Sequence, residues 1–220
     1  NYFPLFNYRA HLITLTTGRI YSAFMEAING IILAGGKARR MGGTDKGLSL
    51  LQGQPMVLHV IERLKPQLTS LLISANRNRE QYRQFNYPVV NDGDDLFLGP
   101  LAGIASAIQV TETPLVLITP CDTPLLPTDL VSRLHETLNQ SDSTIAVAHD
   151  GERLQQLCFL AQRSILDSII QQLKQDQRRV QRWINSLNPA ICTFDDPLAF
   201  SNINTPDEQR QMEQRLMETP

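Results

Sequence analysis

From Asn29 onward, short apolar runs alternate with segments of helical period, and this alternation constrains the fold more than any other feature of the chain. The first run, Gly30-Ile-Ile-Leu-Ala34, ends in a glycine turn. Val57, Ile61 and Leu64 then recur at the spacing of one helix face, before further runs at Leu71-Leu-Ile-Ser74 and Pro88-Val-Val-Asn91. Strands joined by crossover helices lie parallel, so these segments predict a parallel sheet. Gly99-Pro100 opens a helix carrying Leu101, Ile104, Ala105 and Ile108, and Pro114-Leu-Val-Leu-Ile-Thr119 follows it. A continuous apolar run of that kind is buried on both faces, which makes it the expected central strand.

Beyond it, Leu130, Leu134 and Leu138 mark another helix. The runs Thr144-Ile-Ala-Val-Ala148 and Leu157-Cys-Phe-Leu-Ala161 flank Asp150-Gly151 and predict a hairpin extension. Ile165, Ile169, Ile170 and Leu173 predict a helix, Val180 to Leu187 a further one, and Ala190-Ile-Cys-Thr-Phe194 a late strand. Thr205-Pro-Asp-Glu208 is a capping box with proline at the first helical position, and it should start the last helix. There is no repeat or low-complexity tract, so a single domain over residues 28–220 is expected. Residues 1–27 mix aromatics with Arg9, His11 and Arg19, without an apolar core segment or a small-residue cleavage site. They are expected to be a disordered extension outside that domain.

With 20 basic and 22 acidic residues the net charge is −2, so no global field draws the 220-residue chain to nucleic acid or anionic lipid. Neither partner is expected. No apolar stretch reaches the 18 or so residues that span a bilayer. The three cysteines, Cys121, Cys158 and Cys192, form no Cys-x-x-Cys pair, which points to a reduced, cytoplasmic chain.

Chemistry concentrates in Leu33-Ala-Gly-Gly-Lys-Ala-Arg-Arg-Met-Gly-Gly-Thr-Asp-Lys-Gly47, directly after the first strand. Gly35 and Gly36 allow the backbone to turn and bring N–H groups close to a ligand, where Arg39, Arg40 and Lys46 can neutralise phosphates. The spacing matches neither Gly-x-x-x-x-Gly-Lys-Ser/Thr nor Gly-x-Gly-x-x-Gly, so P-loop NTPases and Rossmann dehydrogenases lose ground. Asp122, in Thr119-Pro-Cys-Asp-Thr-Pro124, follows the presumed central strand, where open α/β sheets place their ligands. Its carboxylate is a hard donor for Mg²⁺ bridging nucleotide phosphates, unless it merely caps the next helix. Asp92, in Asn91-Asp-Gly, ends the third strand in a similar position, unless it serves the turn.

These segments, with Gly99-Pro-Leu-Ala-Gly103, Pro120-Cys-Asp-Thr-Pro124, Asp150-Gly-Glu-Arg153 and Asn202-Ile-Asn-Thr-Pro206, resemble in order the motifs of molybdenum cofactor guanylyltransferase, the MobA family of nucleotidyltransferases. The resemblance covers about residues 28 to 215. It implies an α/β, Rossmann-like three-layer nucleotidyltransferase fold with a mostly parallel sheet and a small β extension. The implied activity transfers GMP from Mg·GTP to the terminal phosphate of molybdenum-bound molybdopterin and releases pyrophosphate. By that resemblance Leu33, Ala34, Gly35, Gly36 and Lys46 form the GTP loop, Asp92 contacts GTP, and Asp122 is the magnesium ligand. Asp122, Lys46 and Arg40 are then the expected catalytic set, and Arg179, Asn202 and Asn204 lie on the pterin side. Partner proteins would come from cofactor biosynthesis or delivery to molybdoenzymes.

Two positions depart from the family pattern. Ser74 stands where well-matched members end a strand with an Asn that contacts GTP, and Asn76 follows two residues on. Leu154-Gln-Gln156 replaces the usual polar and proline residues after Arg153. The residues allow in-line attack of the acceptor phosphate on the α-phosphorus without a covalent intermediate or an obligatory base, since a phosphate monoester is already ionised near neutral pH. His59, His135 and His149 are accordingly expected to be surface or helix residues. Related readings are a nucleotidyltransferase using CTP with molybdopterin or acting on a sugar phosphate, and a non-catalytic GTP-binding adaptor.

Overall fold

The first apolar run becomes β1 (Ile28–Leu33), buried along all its length except Leu33. The structure, a computed structural model, describes residues 26–34, 45–92, 99–203 and 206–218. The expected extension therefore falls outside the described residues up to residue 25, as do Gly35, Gly36, Arg40, Asn204 and the Thr205 cap.

β1 sits between β4 (Ser70–Ser74) and β6 (Leu115–Pro120), parallel to both, and β4 continues to β5 (Val89–Val90), again parallel. Each is short and rich in Leu, Ile and Val, as suits strands covered on both faces. The chain thus builds outward from β1 through β4 and β5, then returns to the opposite side of β1 as β6. Helix α1 (Met56–Leu64) serves the first crossover and α3 (Pro100–Gln109) the return, and they cover opposite faces. The order reverses between β1 and β6, the switch point where such sheets hold ligands.

The rest of the sheet carries β7 (Ile145–His149), β8 (Leu154–Gln162) and β9 (Ala190–Thr193), giving the order β5-β4-β1-β6-β8-β7-β9. β7 and β8 form the expected hairpin, yet it is part of the main sheet: β8 runs antiparallel between β6 and β7. The small separate β pair is instead β2 (Leu50–Leu51) with β3 (Gln54–Pro55). Gln52 at positive φ and Gly53 make its turn, a signal that two-residue strands are too short to announce.

Side chains alternate across the strands into two apolar layers. Ile32, Leu117 and Leu160 face α1 and α4 (Leu130–Asn139), whereas Ile31, Ile118 and Phe159 face α3, α5 (Ile165–Lys174) and α6 (Val180–Ser186). Trp183 of α6 packs on Phe159 at 5.8 Å between ring centroids, and its indole N–H donates to Ser168 at 3.0 Å. A third, smaller cluster joins Leu51, Met56, Ile203 and Met212, the last on α7 (Pro206–Glu218). Among the described residues no helix is long and apolar enough to cross a membrane.

Candidate active site

The parallel strands end in register: Leu33 lies opposite Ser74 on one side and Pro120 on the other. The exits are stitched together, with Ala34 N–H donating to the Ser74 carbonyl at 2.8 Å and Cys121 N–H to the Leu33 carbonyl at 3.1 Å. Leu33 and Ala34 thus lead the glycine-rich loop out of the sheet directly beside Asp122.

The far end of that loop returns to the same place. Asp45 starts a single 3₁₀ turn (Lys46–Leu48), and the Lys46 Nζ lies 3.1 Å from Asp122 Oδ2. The Lys46 side chain is 28% exposed and that of Asp122 15%, so the pair borders solvent but is screened less than a surface ion pair. Sequence positions 76 apart supply one cation and one hard oxygen at the switch point.

Asp45 is held from three directions. Its Oδ1 accepts from the Gly47 N–H at 3.2 Å and from the Tyr82 hydroxyl at 2.5 Å, and its Oδ2 accepts from the Asn78 amide at 3.0 Å. Tyr82 comes from α2 (Arg79–Arg83) and is wholly buried. Burial, then the neighbouring Cys121 and Asp45, push its phenol above the ordinary value, so the proton stays on the oxygen that donates. Gly47 is required here, because a Cβ at this position would collide with the Tyr82 hydroxyl and crowd Cys121.

The carboxylate of Asp92 meets Asn76 at the next strand exit. Asn76 Nδ2 donates to Asp92 Oδ2 at 2.7 Å, and Asp92 N–H donates back to Asn76 Oδ1 at 3.1 Å. Ser74 turns inward and donates to the Gly103 carbonyl at 3.3 Å. Gly103 allows α3 to lie against β4, since a Cβ there would come within 2.9 Å of Ser74 Oγ. The glycine of Gly99-Pro-Leu-Ala-Gly103 therefore serves packing, and Asn76 rather than Ser74 reaches the carboxylate.

Ile203 N–H donates to the Asp122 carbonyl at 3.2 Å, which carries the exposed Asn202 to the same corner. Arg179 immediately precedes α6. α6, which it precedes, packs with α5 on the same face of the sheet. Asp150, Glu152 and Arg153 form the β7–β8 turn at the carboxyl edge.

The described histidines make local contacts: His59 Nε2 contacts the Leu51 carbonyl at 2.9 Å, His135 contacts Asn139, and His149 Nδ1 accepts from the Gly151 N–H at 3.0 Å. The three cysteines are free and buried. Sequence reasoning missed Asp45, Tyr82 and Asn78. The available signal was a lone tyrosine in the polar run Arg77-Asn-Arg-Glu-Gln-Tyr-Arg83 and an aspartate before Lys-Gly, a residue type that caps turns.

No cluster of three or more metal-binding side chains occurs among the described residues. Asp122 nonetheless suits Mg²⁺, which is commonly held by one or two carboxylates with substrate phosphates and water completing its shell. The arrangement places one cation, Lys46, beside one carboxylate, Asp122; Lys46 can compensate phosphate charge directly, whereas Asp122 would face a phosphate chain only with a divalent cation between them.

The MobA-like NTP transferase domain matches residues 30–190. A protein of Shewanella loihica named molybdenum cofactor guanylyltransferase is 44% identical over 190 residues, spanning 86% of this chain and 97% of that one. In fold, the chain is similar to the molybdopterin-guanine dinucleotide biosynthesis protein A of Archaeoglobus fulgidus, with TM-score 0.69 and 18% identity over 87% of this chain and all of that one. It is also similar to CMP:2-keto-3-deoxy-manno-octonic acid synthetase solved with CTP, with TM-score 0.68 and 14% identity over 88% of this chain and 100% of the other. The fold is similar to that of these solved structures, and the chain belongs to the MobA-like NTP transferase family.

Proposed function

We propose that this protein is a molybdenum cofactor guanylyltransferase, which transfers GMP from GTP to the terminal phosphate of molybdenum-bound molybdopterin and releases pyrophosphate. The observation that carries the reading is the Lys46–Asp122 pair, 3.1 Å apart at the switch point where the glycine-rich loop leaves and rejoins the sheet. Lys46 supplies positive charge for a triphosphate, together with Arg40 and the backbone N–H groups of Gly35 and Gly36, which enter on the sequence motif alone. Asp122 would hold Mg²⁺ with the nucleotide phosphates. When bound, that ion would withdraw charge from the phosphate oxygens and the departing pyrophosphate.

Attack by one phosphate on another brings two anions together, and the chain's task is to position them against their repulsion. Lys46 does this from the loop side. Asp92, fixed by Asn76, faces the nucleotide from the exit of β5. Asn202, tied to the Asp122 corner through Ile203, and Arg179 serve the pterin side, with Asn204 added from the motif. No side chain is needed as a general base, because the attacking phosphate is already ionised near neutral pH. Proteins of cofactor biosynthesis or delivery to molybdoenzymes would take the product, in the cytoplasm.

Pyrophosphate release measured with each of the four nucleoside triphosphates, with and without molybdenum-molybdopterin, tests the reading. Release is expected with GTP and only in the presence of the acceptor. Acceptor-dependent release tenfold faster with CTP than with GTP would move the protein to a cytidylyl transfer, and release without acceptor would identify a nucleotide hydrolase.

A further inference from the structure

The structure assigns a positioning role to Tyr82: its hydroxyl, acting through Asp45, fixes the turn from which Lys46 reaches toward Asp122. The inference rests on the nucleotide reading of that corner and adds a residue outside the glycine-rich loop to it. Lys46 stands on a single 3₁₀ turn of three residues, too short to hold its own geometry. What holds the turn is Asp45, whose carbonyl accepts from the Leu48 and Ser49 N–H groups at 3.1 and 3.0 Å while its carboxylate accepts from Gly47.

What holds Asp45 in turn is a wholly buried donor. Tyr82 places its hydroxyl 2.5 Å from Asp45 Oδ1, with its ring 6.4 Å from that of Phe85. Asn78, the other side-chain donor to Asp45 among the described residues, makes an exposed contact. Tyr82 thus ties Asp45 to the apolar core through a buried hydroxyl, beside Leu48, which packs on the same core from the turn itself. Packing alone would be met by phenylalanine, and the hydroxyl is not needed for burial. A charge-assisted bond at this distance is worth roughly tenfold in an affinity that depends on where Lys46 stands.

The test is Tyr82→Phe and Lys46→Met, alone and combined, with Mg·GTP affinity measured by titration calorimetry and folding by thermal melting. Wild-type protein should bind Mg·GTP. Tyr82→Phe should weaken binding about tenfold while leaving the melting temperature within about 3 °C. In the Lys46→Met background the same change should alter affinity less than twofold, because the group it positions is gone. Asp45→Asn provides a second approach and should reproduce the loss with the same dependence on Lys46. Wild-type protein that fails to bind Mg·GTP would overturn the nucleotide reading and this inference with it. Binding by wild type that Tyr82→Phe leaves unchanged, or weakens equally in both backgrounds, would overturn the Tyr82 role alone.

Discussion

Asp122 and Asp150 stand at the same edge of the sheet, after β6 and β7, and their carboxylates are spent differently. Asp150 Oδ1 accepts from the N–H groups of Glu152 and Arg153 at 2.9 and 2.7 Å, and Oδ2 accepts from the Gln155 amide at 2.5 Å with the Arg153 guanidinium at 3.7 Å. Asp122 Oδ2 faces the Lys46 ammonium at 3.1 Å. A carboxylate has about four lone-pair sites. Where the turn's own N–H groups and side chains fill most of them, the group folds a turn; where a lysine takes one, it can exchange that partner for a ligand. Position at a strand end, which both residues share, does not separate the two, and the partner set does.

The largest expected effect comes from removing the exchangeable carboxylate. Asp122→Ala should lower turnover by about 10²–10³, the scale of a preorganised electrostatic group, and shift the melting temperature by no more than about 3 °C. A steady-state assay beside a thermal melt reads both. Near-wild-type turnover in a folded variant would collapse the distinction from the Asp122 side.

Asp150→Ala should do the reverse. It leaves the Glu152 and Arg153 N–H groups of the turn without their acceptor, at a cost of about 2 kcal/mol, or roughly 4–8 °C in melting temperature. Mg·GTP affinity should stay within twofold, since the β7–β8 turn lies across β6 from the β1 exit. A variant that melts normally yet loses GTP would make Asp150 a ligand group.

The pH dependence sharpens the same contrast. Burial alone would raise the Asp150 carboxyl, but the Arg153 and Glu152 N–H groups, the Gln155 amide and the Arg153 charge outweigh it and hold the value below the ordinary carboxylate range. A carboxyl depressed in the folded state contributes stability that is fully present above its unfolded value, about 3.9, and is lost as pH falls through the folded value. Wild type should therefore melt above Asp150→Asn at pH 5 to 7, and the gap should close as the pH is lowered below about 4. A gap independent of pH would mean that the charge is irrelevant to the turn.

How legible these corners were follows from the range of the interactions. β1 and β6 could be read from sequence because burial on both faces leaves a continuous apolar run, and Lys46 and Asp122 because a glycine-rich basic loop and a strand-end carboxylate are local signals. The β7–β8 hairpin was legible as a hairpin, but its insertion beside β6 was not. Pairing of Leu117 with Leu160 is set by what lies across the sheet, not by either strand alone. Tyr82 was missed because α2 is five residues long, less than the span over which a helical period can be recognised. Ser74 ends β4 and Asn76 follows two residues on, and no pattern in the chain records which of them reaches Asp92.

The smallest effect concerns that last pair, where a third carboxylate lies between the two extremes. Asp92 has a side-chain amide and no run of backbone donors to its oxygens among the described contacts, so it is steadied but less saturated than Asp150. Asn76 holds it by a reciprocal pair of bonds across the exits of β4 and β5. Asn76→Ala removes both and frees the Asp92 carboxylate, which should weaken Mg·GTP binding about three- to tenfold, the net worth of about one hydrogen bond. Ser74→Ala removes only a 3.3 Å bond to the Gly103 carbonyl from a buried hydroxyl and should change affinity less than twofold. Titration calorimetry on both variants decides the matter. Equal losses would mean that the strand exit responds as one unit, whereas a loss confined to Ser74→Ala would return the nucleotide contact to the position where the family carries its asparagine.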